Sequence, residues 1–197
     1  AFPGGAPGMI AEGAMESPPV DAIFAWHVAG ELPSGYVALR AGPVVGAVAA
    51  ISLKVKGVGG HFGHPDKAVD PIVVAAHVIV TLQSVMTRQI DPNEAAVLTF
   101  GTMQGGTRDN VIGDEVIIRG DLGAMSTQLR DELPAKIERA VKGVTESMGA
   151  SYEMNCWIGY PAVVNDPRLT DFARRVLVNL VGEERMLEGP PTLGGED

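Results

Sequence analysis

The stretch VGAVAAISLKVKG, residues 45–57, ends in a strict alternation of apolar and polar side chains. Ile51, Leu53 and Val55 alternate with serine and lysine residues. A two-residue period is typical of a β-strand that buries one face and exposes the other to water. We therefore predict a strand here, and the rest of the fold is built outward from it.

A helix is predicted after this strand. Asp70 and Pro71 form an N-cap and first-turn pair, and the apolar residues that follow continue to about Arg88. This helix is apolar almost all round, so its outer side is expected to meet another surface.

Three more elements complete the pattern. AAVLTFGTM and NVIGDEVIIRGDL are predicted to be strands joined by the polar glycine loop QGGTRD. Ser126 caps a second helix whose apolar positions recur every three or four residues, although Pro134 inside it should remove one hydrogen bond. SYEMNCWIGY then reads as a last strand.

The resulting order, β-α-β-β-α-β, predicts a ferredoxin-like domain over residues 45–160, with both helices on one face of a four-stranded antiparallel sheet. Residues 1–44 and 161–197 flank it as parts of an incomplete α/β domain. In the first flank we predict a buried strand, VDAIFAWHV (residues 20–28), and a short strand, GYVALR (residues 35–40). The second flank has an amphipathic helix capped by Asp166 and Pro167. Neither flank has enough elements to close a sheet.

Composition narrows the function classes. The net charge of −9 argues against a nucleic-acid or anionic-membrane surface. The apolar runs are too short or too interrupted to predict a membrane span, and no signal peptide is visible. The single cysteine, Cys156, excludes an internal disulfide and favours a reducing, cytoplasmic compartment. Because the chain opens on AFPGGAPGMI and stops at TLGGED, we expect a fragment of a longer protein.

The loop GVGGHFGHPDKAVDP, residues 57–71, contains His61 and His64. Three interpretations are open: a metal site, a catalytic group, or a solvated loop with incidental histidines, and composition alone favours the last. Metal-binding histidine pairs at this spacing usually lie on one face of a helix, but the glycines of this loop make a helix unlikely. A zinc ion would also need further ligands. His77, within the apolar helix, is interpreted as a packed or partly exposed core residue. His27, at the end of a predicted strand, is a candidate ligand by position.

Several motifs occur in a recognisable order: VDAIFAWHV, LPSGYVALRAGPV, VKGVGGHFGHPDKAVDPI, GTMQGGTRDNVIGD and GYPAVVNDPRLT…PPTLGGED. Together they resemble the metallohydrolase family of aminoacylases, hippurate hydrolases, auxin-conjugate hydrolases and related carboxypeptidases. The resemblance implies an α/β catalytic domain that holds two divalent metals (zinc, manganese, cobalt or nickel) and is interrupted by a ferredoxin-like lid that forms a homodimer. The substrates it implies are N-acyl amino acids or short peptides.

The same resemblance implies roles for individual residues. His61 would reach the partner subunit's active site and donate a hydrogen bond to the developing oxyanion, whereas His64 matches a variable position. His27 matches a metal ligand, and Asn110 and Gly195 match positions that contact substrate. The family's other metal ligands and its general base have no counterpart here, and Gly123 stands where relatives commonly carry an arginine. We therefore expect this chain to bind metal weakly or not at all and to be inactive alone. The alternative is a non-catalytic dimerisation or small-ligand-binding module.

Overall fold

A computed structural model describes residues 4–196 of the chain. In chain order, its helices and strands are α1 (Gly5–Ala11), β1 (Val37–Ala38), β2 (Gly42–Val45), β3 (Ala47–Lys56), β4 (Gly60–His61), α2 (Pro71–Arg88), β5 (Ala96–Gly105), β6 (Val111–Ile112), β7 (Glu115–Ala124), α3 (Thr127–Ser147), β8 (Ser151–Ile158), β9 (Val163–Asn165), α4 (Pro167–Val181) and β10 (Met186–Leu187).

The predicted β-α-β-β-α-β unit is confirmed. Its sheet has four antiparallel strands in the order β5-β7-β3-β8. Strand β3 pairs along its whole length with β7, from Ala47 opposite Ala124 to Lys56 opposite Glu115. The additional short strands β4 and β6 pair with each other beyond the end of this sheet.

The core lies between the sheet and the two long helices. The predicted alternation in β3 is confirmed, since Ile51, Leu53 and Val55 are at most 2% exposed and face α2 and α3. Residues between them face the other side of the sheet, which no helix within residues 4–196 covers. The unit therefore has one closed face and one open face, as expected for this topology.

Local capping signals also gave the correct helix starts. Asp70 Oδ1 accepts hydrogen bonds from the backbone N–H groups of Ile72 (2.9 Å) and Val73 (3.4 Å). Ser126 Oγ accepts one from Leu129 N at 3.1 Å, and α3 continues through Pro134 as a single helix of 21 residues. These caps satisfy amide groups that a helix leaves unpaired at its first turn.

Helix α2 is the one helix within residues 4–196 that is long and apolar enough to cross a membrane by length and composition. Its buried side belongs to the core described above, with Val74, Val78 and Leu82 at most 1% exposed. The core helix of a globular protein can have the same length and composition, so this feature is weak evidence for a membrane span.

The predicted buried strand at residues 20–28 is wrong. The segment is irregular and exposed throughout, with Trp26 73% and Val28 93% exposed. A strand buried on both faces needs neighbouring strands to pair with its backbone, and the described residues offer this segment none. The strand predicted at residues 35–40 is reduced to β1, which pairs in parallel with β10.

Candidate functional site

The antiparallel pair of strands β4 and β6 brings two of the candidate residues together. His61 of β4 pairs with Val111 of β6, and the N–H of Phe62 donates to the carbonyl of Asn110 at 3.3 Å. The resemblance implied an oxyanion donor at His61 and a substrate contact at Asn110, which are far apart along the chain. The structure places their backbones side by side.

A backbone contact determines which nitrogen of the His61 ring can donate. The N–H of Gly63 donates to His61 Nδ1 at 3.2 Å. When Nδ1 accepts a hydrogen bond, the neutral imidazole carries its proton on Nε2. The side chain is exposed, so this Nε2–H is available to an acceptor outside the β4–β6 strand pair.

The glycines before His61 are required by close packing. A Cβ at Gly57 would lie 2.1 Å from the carbonyl oxygen of Val69, and one at Gly59 would lie 2.4 Å from Asp114 Oδ1. Asp114 Oδ1 also accepts a hydrogen bond from Gly59 N at 3.0 Å. Neither glycine has a positive φ, so both serve to let the chain approach its neighbours closely.

His64 is close to His61, with ring centroids 6.1 Å apart, and its N–H donates to the His61 carbonyl at 2.9 Å. His77 lies on the exposed side of α2. Within residues 4–196 no group of three or more His, Cys, Asp or Glu side chains is arranged to hold a metal ion. The loop with His61 and His64 therefore lacks, among the described residues, the ligand set that a zinc site takes.

A second group forms around His27. His27 Nδ1 lies 2.8 Å from Glu196 Oε2, and the neighbouring Gly195 lies against Val48, where an added Cβ would be 2.9 Å from Val48 Cγ2. His27 and Gly195 are thus brought together by the fold. Sequence reasoning missed Glu196, although the GGED motif that contains it was the available signal.

The two groups lie at opposite ends of the sheet. Gly195 contacts Val48 near the start of β3, whereas β4 with His61 follows Lys56 at the end of β3. At about 3.3 Å per residue, the strand between Val48 and Lys56 is about 26 Å long. Residues of one chain therefore cannot bring His61 and His27 to the same substrate atom in this structure.

The donor chemistry of the second group suits a metal only in part. An imidazole nitrogen and a carboxylate oxygen are ligands that zinc and similar divalent ions accept. His27 and Glu196 supply two such donors, and the described residues supply no third beside them. Residues 4–196 by themselves therefore do not complete a catalytic metal site.

Gly123 has a structural reason for lacking a side chain. A Cβ at this position would lie 2.6 Å from the carbonyl oxygen of Leu193, in the segment that leads to Gly195. A larger residue would push this segment away from the sheet. The close contact between β7 and the chain near residue 193 thus leaves no room for a side chain at position 123.

Comparisons with known proteins agree with this architecture. A family model, Peptidase family M20/M25/M40, matches residues 2–197. The N-acyl-L-amino acid amidohydrolase of Geobacillus stearothermophilus is 37% identical over 171 residues, which cover 85% of this chain and 46% of the relative. The hippurate hydrolase of Campylobacter jejuni subsp. jejuni is 32% identical, covering 98% of this chain and 51% of the relative.

A solved structure supports the same relationship. The YXEP protein of Bacillus subtilis, described as a dinuclear metal binding peptidase from the M20 family, has a TM-score of 0.73 and 25% identity, covering 97% of this chain and 47% of that one. The chain spans about half the length of the relatives it matches. Because the family model matches almost every residue, the chain belongs to Peptidase family M20/M25/M40.

Proposed function

We propose that this chain carries the lid, and parts of the catalytic domain, of a metal-dependent amidohydrolase that cleaves N-acyl amino acids or short peptides. The lid would be residues 45–160, and residues 1–44 and 161–197 would belong to the catalytic domain. The observation that carries the proposal is the separation of two chemically distinct groups, a hydrogen-bond donor at His61 and a metal-suited pair at His27 and Glu196. The names of the relatives, an amidohydrolase and a hippurate hydrolase, support the reaction class.

His61 would stabilise the oxyanion that forms when the amide carbonyl is attacked. Its Nε2–H, fixed by the contact from Gly63 to Nδ1, can meet negative charge that is present only in the transition state. One such donor contributes about 3–4 kcal/mol in comparable sites. Since His61 lies far from the His27 end of its own chain, we propose that it acts on the active site of a partner subunit.

His27 would be a metal ligand, and Glu196 would either bind the same ion or orient the imidazole. We propose two divalent ions per active site, zinc, manganese, cobalt or nickel, whose remaining donors lie outside these 197 residues. Bound there, the metal would supply an activated water and polarise the carbonyl. Asn110, beside His61, and Gly195, beside Glu196, would position substrate at the two ends of the assembled site.

A homodimer through the lid would bring the two ends together. Strand β5 is an edge strand of the sheet, and α2 packs over it with an outer side that is mainly apolar in its first half. On that side Ile72, Val73 and Val80 are 43%, 47% and 68% exposed. A second copy could pair with the edge of β5 and cover these residues, which would remove both an open edge and an apolar patch from water.

The proposal is tested by activity and metal content together. In the complete natural reading frame that contains this sequence, His61→Ala should lower kcat for an N-acyl amino acid by about 10²–10³-fold without changing bound metal. His27→Ala should lower both, and His64→Ala, the matched loop control, should change neither. Equal loss of metal in the His61 and His64 variants would instead identify the loop as a metal site.

The 197-residue chain itself should hydrolyse neither N-acetyl nor hippuryl amino acids, with or without added zinc or manganese. A catalytic metal takes about three protein ligands plus water. Turnover clearly above the buffer rate would refute this part of the proposal. A complete reading frame that binds metal but hydrolyses no amide would favour the binding-module alternative.

A further inference from the structure

The open face of the four-stranded sheet carries charges that the fold leaves unpaired. Along β7, Arg119 and Asp121 both point to this face, because the residues between and beyond them turn toward the core. Their neighbours across β3 are Ser52 opposite Arg119 and Ala50 opposite Asp121. Neither neighbour carries a charge. Within residues 4–196, neither the Arg119 guanidinium nor the Asp121 carboxylate has an ion pair or hydrogen bond.

The other half of the same face is different. Lys54 pairs with Glu115 at 3.1 Å, and Lys56 pairs with Glu153, so the charges there neutralise one another across strands. Opposite charges on adjacent strands usually meet in this way. Arg119 and Asp121 are instead two residues apart on a single strand, which places their Cα atoms about 7 Å from each other with both side chains free.

The surface around these two residues is a shallow depression of about 390 Å³. Its floor is backbone and small side chains, including Ala50, Ser52 and Gly101, and Trp157 forms one wall. Trp157 is 52% exposed, and its indole N–H has no acceptor among the described residues. The depression thus offers a cation, an anion and an aromatic surface within one small area.

We propose that this depression binds the zwitterionic head group of a free amino acid. The guanidinium of Arg119 would take the α-carboxylate, for which its fork geometry is suited, and the carboxylate of Asp121 would take the α-ammonium. A separation of about 7 Å between the two backbone positions leaves room for a head group whose own charges are close together. The side chain of an apolar or aromatic amino acid would lie over Ala50 against Trp157.

On the open face, the depression begins next to the end of the sheet where His27 and Glu196 lie. Val48, which contacts Gly195, is two residues before Ala50 on β3, a distance of about 7 Å. An amino acid released by hydrolysis near His27 would find this head-group site beside it. An N-acylated substrate lacks the ammonium group and so would not satisfy Asp121. The idea that the ligand is an amino acid released by hydrolysis rests on the proposed function. The binding of a zwitterionic head group by Arg119 and Asp121 does not.

Binding is measured on this chain by NMR, following backbone amides and the Trp157 indole N–H during titration with L-phenylalanine. Saturable shifts should centre on Trp157, Arg119 and Asp121. N-acetyl-L-phenylalanine, which has no ammonium, and L-phenylalaninamide, which has no carboxylate, should each bind at least about tenfold more weakly, since each loses one charge-assisted contact.

Isosteric variants separate recognition from folding. Arg119→Gln and Asp121→Asn should each weaken phenylalanine binding by about tenfold or more while their remaining amide spectra stay superimposable on that of the native chain. Glu153→Gln, which removes a paired charge from the same face, is the control and should bind normally. No saturable shift up to the solubility limit of phenylalanine, equal binding of the N-acetyl derivative, or equal loss in the control would overturn the proposal. These outcomes are independent of whether the complete reading frame hydrolyses amides.

Discussion

Arg130 is the one charged side chain in the described residues that is buried, at 3% exposed, and its removal tests the account of the junction between the lid and the flanks. Its Nη1 donates to the carbonyls of Val48, Gly159 and Tyr160, each at 3.0 Å. These carbonyls belong to the segments that enter and leave the four-stranded unit. Arg130 in the first turns of α3 therefore fixes both connections at once.

The expected cost of Arg130→Met follows from what each carbonyl would retain. Val48 O still accepts from Gly159 N at 3.0 Å, and Tyr160 O from Val48 N at 3.2 Å. Gly159 O would lose the one hydrogen bond it makes within residues 4–196. One partly buried carbonyl left unpaired and two lost charged hydrogen bonds give a decrease in the free energy of unfolding of about 3 kcal/mol, allowing for the guanidinium desolvation that the variant avoids.

The assay is urea denaturation of the chain, followed by far-UV circular dichroism, which reports α2 and α3. The matched control on the same helix is Arg139→Ala. Arg139 is exposed and donates to Gln89 Oε1 at 2.9 Å, so its loss should cost about 0.5 kcal/mol or less. A decrease in the free energy of unfolding below about 1 kcal/mol for Arg130→Met, or one equal to that of the control, would refute the proposed role of Arg130 in fixing both connections.

Further outcomes follow from the helix caps, the core and the apolar surface. Asp70→Ala should lower the free energy of unfolding by about 1 kcal/mol and Asp70→Asn by much less, because the cap needs only an acceptor oxygen; equal losses in the two urea titrations would contradict this. Burial raises the pKa of the Cys156 thiol, partly opposed by Arg130, so less thiolate is present near pH 8 and iodoacetamide should alkylate it more slowly than free glutathione; faster alkylation would be inconsistent with the packing. Val80→Glu should shift the chain from dimer to monomer in light scattering if the outer side of α2 lies in the interface, whereas a monomeric native chain would count against the lid dimer.

The sequence predicted the four-stranded unit well because its signals are local. The alternation in β3 and the caps at Asp70 and Ser126 each depend on residues within one turn or a few positions. Those signals fix where an element starts and which face it buries. Once four strands and two helices are placed in order, few topologies remain.

The failures concern residues whose environment comes from distant parts of the chain. The apolar run at residues 20–28 was predicted to be a buried strand, but periodicity cannot supply the neighbouring strands that would bury it. Glu196 could not be linked to His27 because their contact joins the two flanks. The close packing at Gly59 could not be predicted for the same reason, since only the fold places Asp114 against it.

The central claim, that His61 serves a site on the partner subunit, is tested most directly by mixing two inactive variants of the complete reading frame. His61→Ala keeps its metal-binding residues and His27→Ala keeps its lid histidine. In random dimers about half are mixed, and each mixed dimer contains one site with both parts intact. The account predicts recovery of about a quarter of native activity. Activity no greater than the sum of the two variants alone would contradict it, because a histidine acting within its own subunit could rescue nothing.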